Sequence, residues 1–224
     1  MKITGFLQKN SRFLRHREAV FAILMASGFS RRFGSENKLL VPFRGKALAR
    51  HTLDLVCGMD CFRKIIFVAA DERTAALAEA LPLTLVRNTA PEKGQRESIR
   101  LGLEAAGAAS SSCYLFFPCD QPLLDAAIVR LILEARRPGC IVQPCYRGEP
   151  GSPALFSGAF RRELLTLGEG ERGRDVIRRH PESLVRVEIA ETSFSRSSPC
   201  SPLIDVDDPG TLSRLEGLNL TRGV

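Results

Sequence analysis

The chain has 224 residues, of which 44% are hydrophobic and 25% are charged, and its formal net charge is +7. This size predicts one large domain over residues 19–224, preceded by a basic leader over residues 1–18. No apolar run approaches the roughly 18 residues of a membrane span, so a membrane partner is not expected. The positive charge favours an anionic partner, but tryptophan is absent and the basic residues are not interleaved with aromatic ones, so nucleic acid is the weaker choice.

Strands and helices alternate along most of the chain. Short apolar runs predict strands, and apolar residues spaced three and four apart predict helices. The predicted strands are residues 20–25, 64–69, 84–87, 113–117, 140–145, 154–156, 184–189 and 203–206. The predicted helices are residues 47–57, 73–81, 97–106, 125–136, 158–167 and 174–179, with a terminal helix after Pro209 and a serine-rich loop over 192–202. This order predicts an α/β protein, a three-layer sandwich with a mostly parallel central sheet.

The longest predicted connection follows the first strand. Residues 26–45 show no helical period, and a loop of that length after a strand usually has a function. Gly28 and Gly34 would let backbone N–H groups approach phosphate oxygens, while Arg31 and Lys38 would add positive charge. The sequence matches neither a P-loop nor a dinucleotide fingerprint. The pattern suits a nucleoside triphosphate, and a solvated surface loop fits it about equally well.

Acidic residues follow two of the predicted strands. Asp120 lies between two prolines at the carboxyl end of a central strand, where a carboxylate suits Mg²⁺. Asp205 and Asp207 follow the last predicted strand and would complete a metal site. Acids in such places are also common as turn residues and helix caps, for which Asp125 is the better candidate.

Other polar positions allow two interpretations each. Asn88, Gly94 and Ser98 precede or open a helix, where they could meet a ribose or base, or form turns and caps. Residues 151–153 could form a substrate loop or a hairpin turn. A basic series that includes Arg172 and Arg174 could attract an anionic second substrate or form a solvated face.

The seven cysteines are odd in number and contain no Cys-x-x-Cys pair, which argues against a disulfide framework and a zinc site. Reduced thiols and a cytoplasmic location are expected. Cys113, Cys119 and Cys140 lie in or beside apolar runs and are expected to be buried.

Taken in order, these motifs resemble the molybdopterin nucleotidyltransferase (MobA-like NTP transferase) family. The family has the glycosyltransferase-A-like, or nucleotide-diphospho-sugar transferase, fold. The matching segments are residues 24–34, residues 37–40, Asn88 with Gly94 and Ser98, residues 120–122, Gly151 with Pro153, Gly173 with Arg174, and residues 205–207. The resemblance implies transfer of CMP from CTP to the terminal phosphate of molybdopterin or the molybdenum cofactor, with release of pyrophosphate and Mg²⁺ as cofactor.

The resemblance also implies roles for individual residues. The implied catalytic residues are Arg31, Lys38 and Asp120. The implied nucleotide-binding residues are Leu24, Ala26, Ser27, Gly28, Arg31, Lys38, Asn88, Gly94 and Ser98. The implied metal ligands are Asp120, Asp205 and Asp207. The implied second-substrate residues are Gly151, Pro153, Gly173 and Arg174.

The choice of CTP depends on three residues. Ala26, Ser27 and Gly28 are closer to the Ala-Ala-Gly of the family's cytidylyltransferases than to the Ala-Gly-Gly of its guanylyltransferases, although Ser27 departs from both. Ser152 replaces a histidine that many cytidylyltransferases carry. The alternatives are a guanylyltransferase on the same acceptor, a transferase on another small phosphate, and a non-catalytic nucleotide-binding protein that serves a molybdoenzyme or its cofactor-insertion machinery.

Overall fold

A mixed sheet of eight strands forms the centre of the protein. The computed structural model describes residues 18–28, 31–34, 36–107, 112–191 and 200–218, so residues 1–17 of the predicted leader and residues 192–199 of the predicted loop lie outside the described residues. The strands are β1 (Ala19–Ala26), β2 (Pro42–Phe43), β3 (Lys46–Ala47), β4 (Lys64–Ala69), β5 (Thr84–Arg87), β6 (Ser112–Pro118), β7 (Ile141–Tyr146), β8 (Glu149–Pro150), β9 (Ala154–Ser157) and β10 (Leu184–Glu188).

The sheet follows the order β10-β7-β9-β6-β1-β4-β5, with β8 paired to β7, while β2 and β3 form a separate hairpin. Strand β1 runs parallel to both of its neighbours, and Ile23 lies level with Ile66 of β4 and Phe116 of β6. Strand β9 runs antiparallel to both β6 and β7. The short β7–β9 connection explains this direction, because a parallel return would need a longer crossover. The predicted mostly parallel sheet is confirmed, with antiparallel strands in one half.

Helices cover both faces of the sheet. They are α1 (Leu48–Cys57), α2 (Glu72–Ala76), α3 (Gln95–Ala106), α4 (Ala126–Ala135), α5 (Arg161–Leu165), α6 (Gly173–Arg179) and α7 (Pro209–Glu216). None of the described helices is long and apolar enough to cross a bilayer. Asp125 caps α4 by accepting a hydrogen bond from the Ala127 N–H at 2.7 Å, as the sequence predicts.

The two largest parts of the core lie on opposite sides of β1. Ala22 and Leu24 of β1 pack with residues of α1 and α4, whereas Phe21 and Ile23 pack with residues of α3, α5 and α6. Side chains alternate in this way because successive residues of a strand point to opposite faces. Burial on both faces explains why β1 is apolar throughout. The predicted burial of Cys113, Cys119 and Cys140 is confirmed.

Helix α3 approaches β1 closely at Gly102. A Cβ atom at this position would lie 2.4 Å from Ile23 Cγ2, which is far inside van der Waals contact. The glycine therefore sets the distance between α3 and the strand whose carboxyl end carries Ser27 and Gly28.

Several predicted elements differ from the structure. Residues 203–206 form no strand. A backbone bond from the Val206 N–H to the Asp120 carbonyl at 2.9 Å ties them to the segment after β6 rather than to a strand of the sheet. The helix predicted over residues 73–81 is shorter, since α2 passes after Ala76 into turns with i to i−3 hydrogen bonds. Residues 26–45 are not without helical structure, because they include short 3₁₀ helices at Arg31–Phe33 and Lys38–Leu40.

Candidate active site

Lys38 lies between two acidic side chains that are far from it in sequence. Its Nζ is 2.6 Å from Asp120 Oδ2 and 3.0 Å from Asp207 Oδ1. The Lys38 and Asp120 side chains are only 14% and 15% exposed, so solvent screens this contact weakly. Arg32 adds a looser contact, with Nη1 at 3.6 Å from Asp207 Oδ2. The sequence predicted a role for Lys38, Asp120 and Asp207, and the structure brings the three together.

Local hydrogen bonds hold Lys38 in this position. Asn37 caps the 3₁₀ helix Lys38–Leu40, because its Oδ1 accepts the Leu39 N–H at 3.0 Å. The Asn37 amide also donates to Asp71 Oδ2 at 3.1 Å and to Thr74 Oγ1 at 2.9 Å. Asn37 thus ties the loop over residues 26–45 to the N-terminus of α2 and fixes the backbone from which Lys38 extends.

Asp120 and Asp207 stabilise the charged form of Lys38. Burial lowers the pKa of Lys38, but the charges and hydrogen bonds of Asp120 and Asp207 outweigh burial, so its pKa lies above the ordinary value. The side chain is a permanent cation at neutral pH. Asp120 Oδ1, in contrast, is buried without a hydrogen-bond partner among the described residues. One oxygen of Asp120 therefore retains lone pairs that can accept a further cation or donor.

The segment with Asp205 and Asp207 is docked beside Asp120. Gln121 Nε2 donates to the Leu203 carbonyl at 2.9 Å, and the backbone bond from Val206 reaches the carbonyl of Asp120 itself. Asp205 is an exposed residue, but the protein atoms packed around its carboxylate and the negative charge of Asp120 raise its pKa to about 6. The carboxylates of Asp120 and Asp205 therefore lie close together and both attract the same positive charge.

These acids suit a hard divalent cation. Among the described residues, no three His, Cys, Asp or Glu side chains form a metal-binding cluster. Mg²⁺ nevertheless commonly binds through one or two carboxylates together with substrate phosphates, and carboxylate oxygens are its preferred ligands. The unpartnered Asp120 Oδ1, with Asp207 nearby, fits an ion that arrives with a polyphosphate.

An open cleft of about 920 Å³ extends from this cluster. One wall comes from the carboxyl ends of β1 and β6 and from the 3₁₀ helix that begins at Lys38. The other lining residues are 91–96, Ser98, 169–172, Arg32 and Asp207. In α/β sheets the carboxyl ends of parallel strands are the usual ligand position, and this cleft follows that rule.

The predicted nucleotide-binding residues divide into two groups. Lining the cleft are Ser27, Gly28, Lys38, Gly94 and Ser98, whereas Leu24, Ala26 and Asn88 are buried and do not line it. The Asn88 amide supports the cleft wall from behind, because its Oδ1 accepts the Ala90 N–H at 3.0 Å and its Nδ2 lies 3.4 Å from Ser98 Oγ. Gly94 has φ +76°, a conformation that side-chain-bearing residues rarely adopt. The Arg31 side chain lies outside the described residues.

The predicted second-substrate residues are not part of the cleft wall. Gly151 packs against Leu203, just before the segment that carries Asp205 and Asp207, and a Cβ atom at Gly151 would lie 2.7 Å from Leu203 Cδ1. Pro153 is buried, and Arg174 is exposed within α6. Gly173 touches the cleft indirectly, through a contact of 3.4 Å between its N–H and Gln95 Oε1. A direct role in binding a second substrate therefore stays a prediction for these four residues.

Sequence reasoning missed part of the cleft wall. Lys93, Gln95, Arg96 and residues 169–171 line it but carry no motif of their own, whereas Arg172, which also lines it, belongs to the predicted basic series. The position of Lys93, Gln95 and Arg96 on either side of Gly94 was an available signal. For residues 169–171 the available signal was the pair Gly168 and Gly170, which indicate a turn shortly before a predicted helix.

The matches to known proteins point to one family. Residues 22–184 match the family described as "MobA-like NTP transferase domain". Over 174 residues the chain is 26% identical to a nicotine blue oxidoreductase of Paenarthrobacter nicotinovorans, covering 74% of this chain and 84% of that protein. It is 29% identical to a molybdenum cofactor guanylyltransferase of Shewanella sp. (strain ANA-3), covering about half of each, 51% and 55%.

The fold of this chain matches that of a solved structure over most of the length of both chains. That structure is described as a nucleotidyl transferase from Methanothermobacter thermautotroptrophicus, and it superposes with a TM-score of 0.72 at 21% identity, covering 88% of this chain and 96% of that one. The expected nucleotide-diphospho-sugar transferase fold is confirmed.

Proposed function

The chain belongs to the family of MobA-like NTP transferase domains and is a nucleotidyltransferase, and from this premise we propose that it transfers a nucleoside monophosphate to the terminal phosphate of molybdopterin or the molybdenum cofactor. The observation that carries this proposal is the position of Lys38 between Asp120 and Asp207 in the wall of the cleft. One strong cation beside two carboxylates is an arrangement that serves a metal-bound triphosphate.

In the proposed reaction, an oxygen of the acceptor phosphate attacks the α-phosphorus of the NTP. A new phosphorus–oxygen bond forms there, and the bond to the bridging oxygen of the β-phosphate breaks, so that pyrophosphate leaves. A phosphate acceptor is largely ionised near neutral pH, which removes the need for a strong general base. The described histidines, His51 and His180, do not line the cleft, which accords with this chemistry.

Lys38 would supply the main electrostatic contribution. As negative charge develops on the departing pyrophosphate, the ammonium can leave the carboxylates and follow that charge, because its stem is flexible. Arg31, from the same loop, is proposed to hold the triphosphate. A bound divalent cation, proposed to be Mg²⁺, would neutralise charge on the phosphates. Asp120 and Asp207 are its proposed ligands, with Asp205 as a further one.

We propose CTP as the nucleotide. The supporting observation is that position 27 carries a Cβ atom, as in the Ala-Ala-Gly pattern, while the Ser27 hydroxyl turns away to donate to the Val68 carbonyl at 3.1 Å. The backbone beside Gly28 is thereby left to contact the base. The relative named as a guanylyltransferase favours GTP instead, so both nucleotides belong in the test.

A redox function is the competing proposal, because the similarity to the protein named nicotine blue oxidoreductase spans 74% of this chain. It predicts consumption of an electron donor without pyrophosphate release. The Lys38 and Asp120 pair gives no advantage to hydride transfer, which needs no polyphosphate leaving group.

The proposed function is tested by pyrophosphate release with Mg²⁺ and each of CTP, GTP, ATP and UTP, with and without molybdopterin. Release that requires both molybdopterin and CTP supports the proposal in full. Release with GTP keeps the reaction and changes the base. Release with another phosphate acceptor keeps only the transferase, and nucleotide binding without release in any arm supports an accessory role.

A further inference from the structure

Three basic residues line the cleft without a paired acid. They are Lys93 and Arg96, which flank Gly94 and Gln95, and Arg172, directly before α6. Within the part of the chain that the structure describes, none of the three has a carboxylate oxygen within the 4.0 Å of a salt bridge, whereas Lys38 and Arg32 both do. These three side chains are therefore available for an external anion.

The neighbouring acids do not cancel this charge. Glu171 is already bound, because its Oε1 accepts from Arg179 Nη1 at 2.6 Å and its Oε2 from the Gly168 N–H at 2.6 Å. Two other acids of the cleft wall, Glu92 and Glu169, are outnumbered by the three cations. This part of the cleft thus carries an excess of positive charge, which suits a phosphate group.

The segment that carries Arg172 is held in place from both sides. Arg179, which binds Glu171, also donates from Nε to Glu163 Oε1 at 2.7 Å, so α5 and α6 fix the loop together. On the cleft side, Gln95 Oε1 lies 3.4 Å from the Gly173 N–H. The Gln95 contact joins the segment of Lys93 and Arg96 to that of Arg172, so the three cations lie on connected parts of one wall.

We propose that Arg172, assisted by Lys93 and Arg96, binds the terminal phosphate of the acceptor. This inference rests on the proposed function and assigns its second-substrate subsite to residues that the sequence motifs do not include. A guanidinium can hold two phosphate oxygens at once, which orients the third toward the α-phosphorus of the nucleotide. Arg174, two residues further on, lies outside the cleft.

Steady-state kinetics with molybdopterin as the varied substrate test this subsite. Arg172→Ala should raise the KM for molybdopterin by about 10-fold to 100-fold, the loss expected for a charge-assisted hydrogen bond, and leave the KM for the NTP within about 2-fold. Arg172→Lys should recover part of the loss. Arg162→Ala removes an exposed arginine of α5 that does not line the cleft, and it should match the wild type. An Arg172→Ala effect on the NTP instead, or a larger molybdopterin effect from Arg174→Ala, overturns the inference.

A second readout separates this inference from the proposed function. Inorganic phosphate is titrated against the wild type and Arg172→Ala by ³¹P NMR, with the nucleotide site saturated by Mg²⁺ and a non-hydrolysable CTP analogue. Phosphate binding that Arg172→Ala weakens by about 10-fold or more supports the subsite, even if molybdopterin is not a substrate. Equal binding to both proteins, or to neither, overturns it, even if molybdopterin turnover is intact.

Discussion

The Lys38 ammonium lies 2.6 Å from Asp120 Oδ2, so the cation proposed to stabilise the leaving group is paired with the carboxylate proposed to bind the metal. A metal ion on Asp120 Oδ1 and the Lys38 ammonium on Oδ2 would share one carboxylate, so the two cations repel each other. A metal-bound triphosphate resolves this conflict, because its phosphates offer Lys38 a new anionic partner while Asp120 accepts the metal. The contact therefore predicts that metal and nucleotide bind together.

Metal binding without nucleotide is the first prediction. Lys38→Ala should tighten Mn²⁺ binding to the free protein by about 10-fold, since it removes the competing ammonium from Asp120 and Asp207. Electron paramagnetic resonance of free Mn²⁺ measures this affinity. Lys46→Ala is the control, because Lys46 also pairs with an acid, Asp54, but lies outside the cleft, and it should change nothing. Weaker or equal Mn²⁺ binding by Lys38→Ala would refute the competition.

Turnover should respond to Lys38 in the opposite direction. Lys38→Ala should lower kcat by on the order of 10²-fold or more, because an electrostatic contact to the developing charge is lost. Stopped assays of pyrophosphate release measure the rate at saturating substrates. A Lys38→Ala variant with wild-type kcat would remove this residue from the catalytic site.

Asp120 and Asp125 lie five residues apart and should behave differently. Asp120→Asn should reduce turnover by about 10²-fold or more and weaken Mn²⁺ binding in the presence of nucleotide. Asp125→Ala removes the cap of α4 outside the cleft, so it should lower the free energy of unfolding by about 1 kcal/mol and keep turnover. The pair is measured by chemical denaturation and pyrophosphate release, and full activity of Asp120→Asn would sink the metal assignment.

A substitution at Gly151 tests whether the position of the segment with Asp205 and Asp207 matters for metal binding. A Cβ atom would lie 2.7 Å from Leu203 Cδ1, so Gly151→Ala should displace the segment that holds Asp205 and Asp207. We expect weaker Mn²⁺ binding with nucleotide and several-fold lower kcat, and Leu203→Ala in the same chain should restore part of both. If Gly151→Ala raised only the KM for molybdopterin, the direct substrate role predicted from sequence would be the better account.

The stability of the α5–α6 region should depend on pH through His180. Its hydrogen bond to Glu163 at 2.7 Å raises the pKa of His180. The folded state then binds the proton more tightly, so the stabilisation is complete below the unfolded pKa of about 6.5 and is lost as the pH rises through the folded value. His180→Gln should therefore cost about 0.5 kcal/mol more at pH 5.5 than at pH 8.5 in urea unfolding. Equal costs at the two pH values would contradict this.

Much of the fold was readable from sequence because its signals are local. The apolar run of β1 and the helical spacing of α4 predicted both elements with bounds close to those observed. The strand expected over 203–206 is absent for a non-local reason, since this segment is held by Gln121 and by the backbone of Asp120, a contact that no periodicity reveals. The direction of β9 likewise depends on its neighbours in the sheet.

In the candidate site, too, local signals were readable from sequence and contacts between distant residues were not. Lys38 and Asp120 could be selected from sequence, because a basic glycine loop and a strand-end acid have recognisable forms. Their direct contact, across 82 positions of the chain, could not. Arg172 and Arg174 both belong to the predicted basic series, and the family motif selects Arg174, whereas Arg172 is the one that lines the cleft. A sequence motif gives the neighbourhood of a site, while the backbone path decides which side chain reaches it.

The most direct test of the central claim is a single turnover with CTP or GTP labelled at the α-phosphate, Mg²⁺ and molybdopterin, followed by separation of the products. The account predicts that the label moves to the pterin product while one pyrophosphate is released for each label transferred. It also predicts that Asp120→Asn and Lys38→Ala suppress this transfer. Label that remains in the triphosphate, or that is released as free nucleoside monophosphate with the pterin unchanged, would contradict the claim.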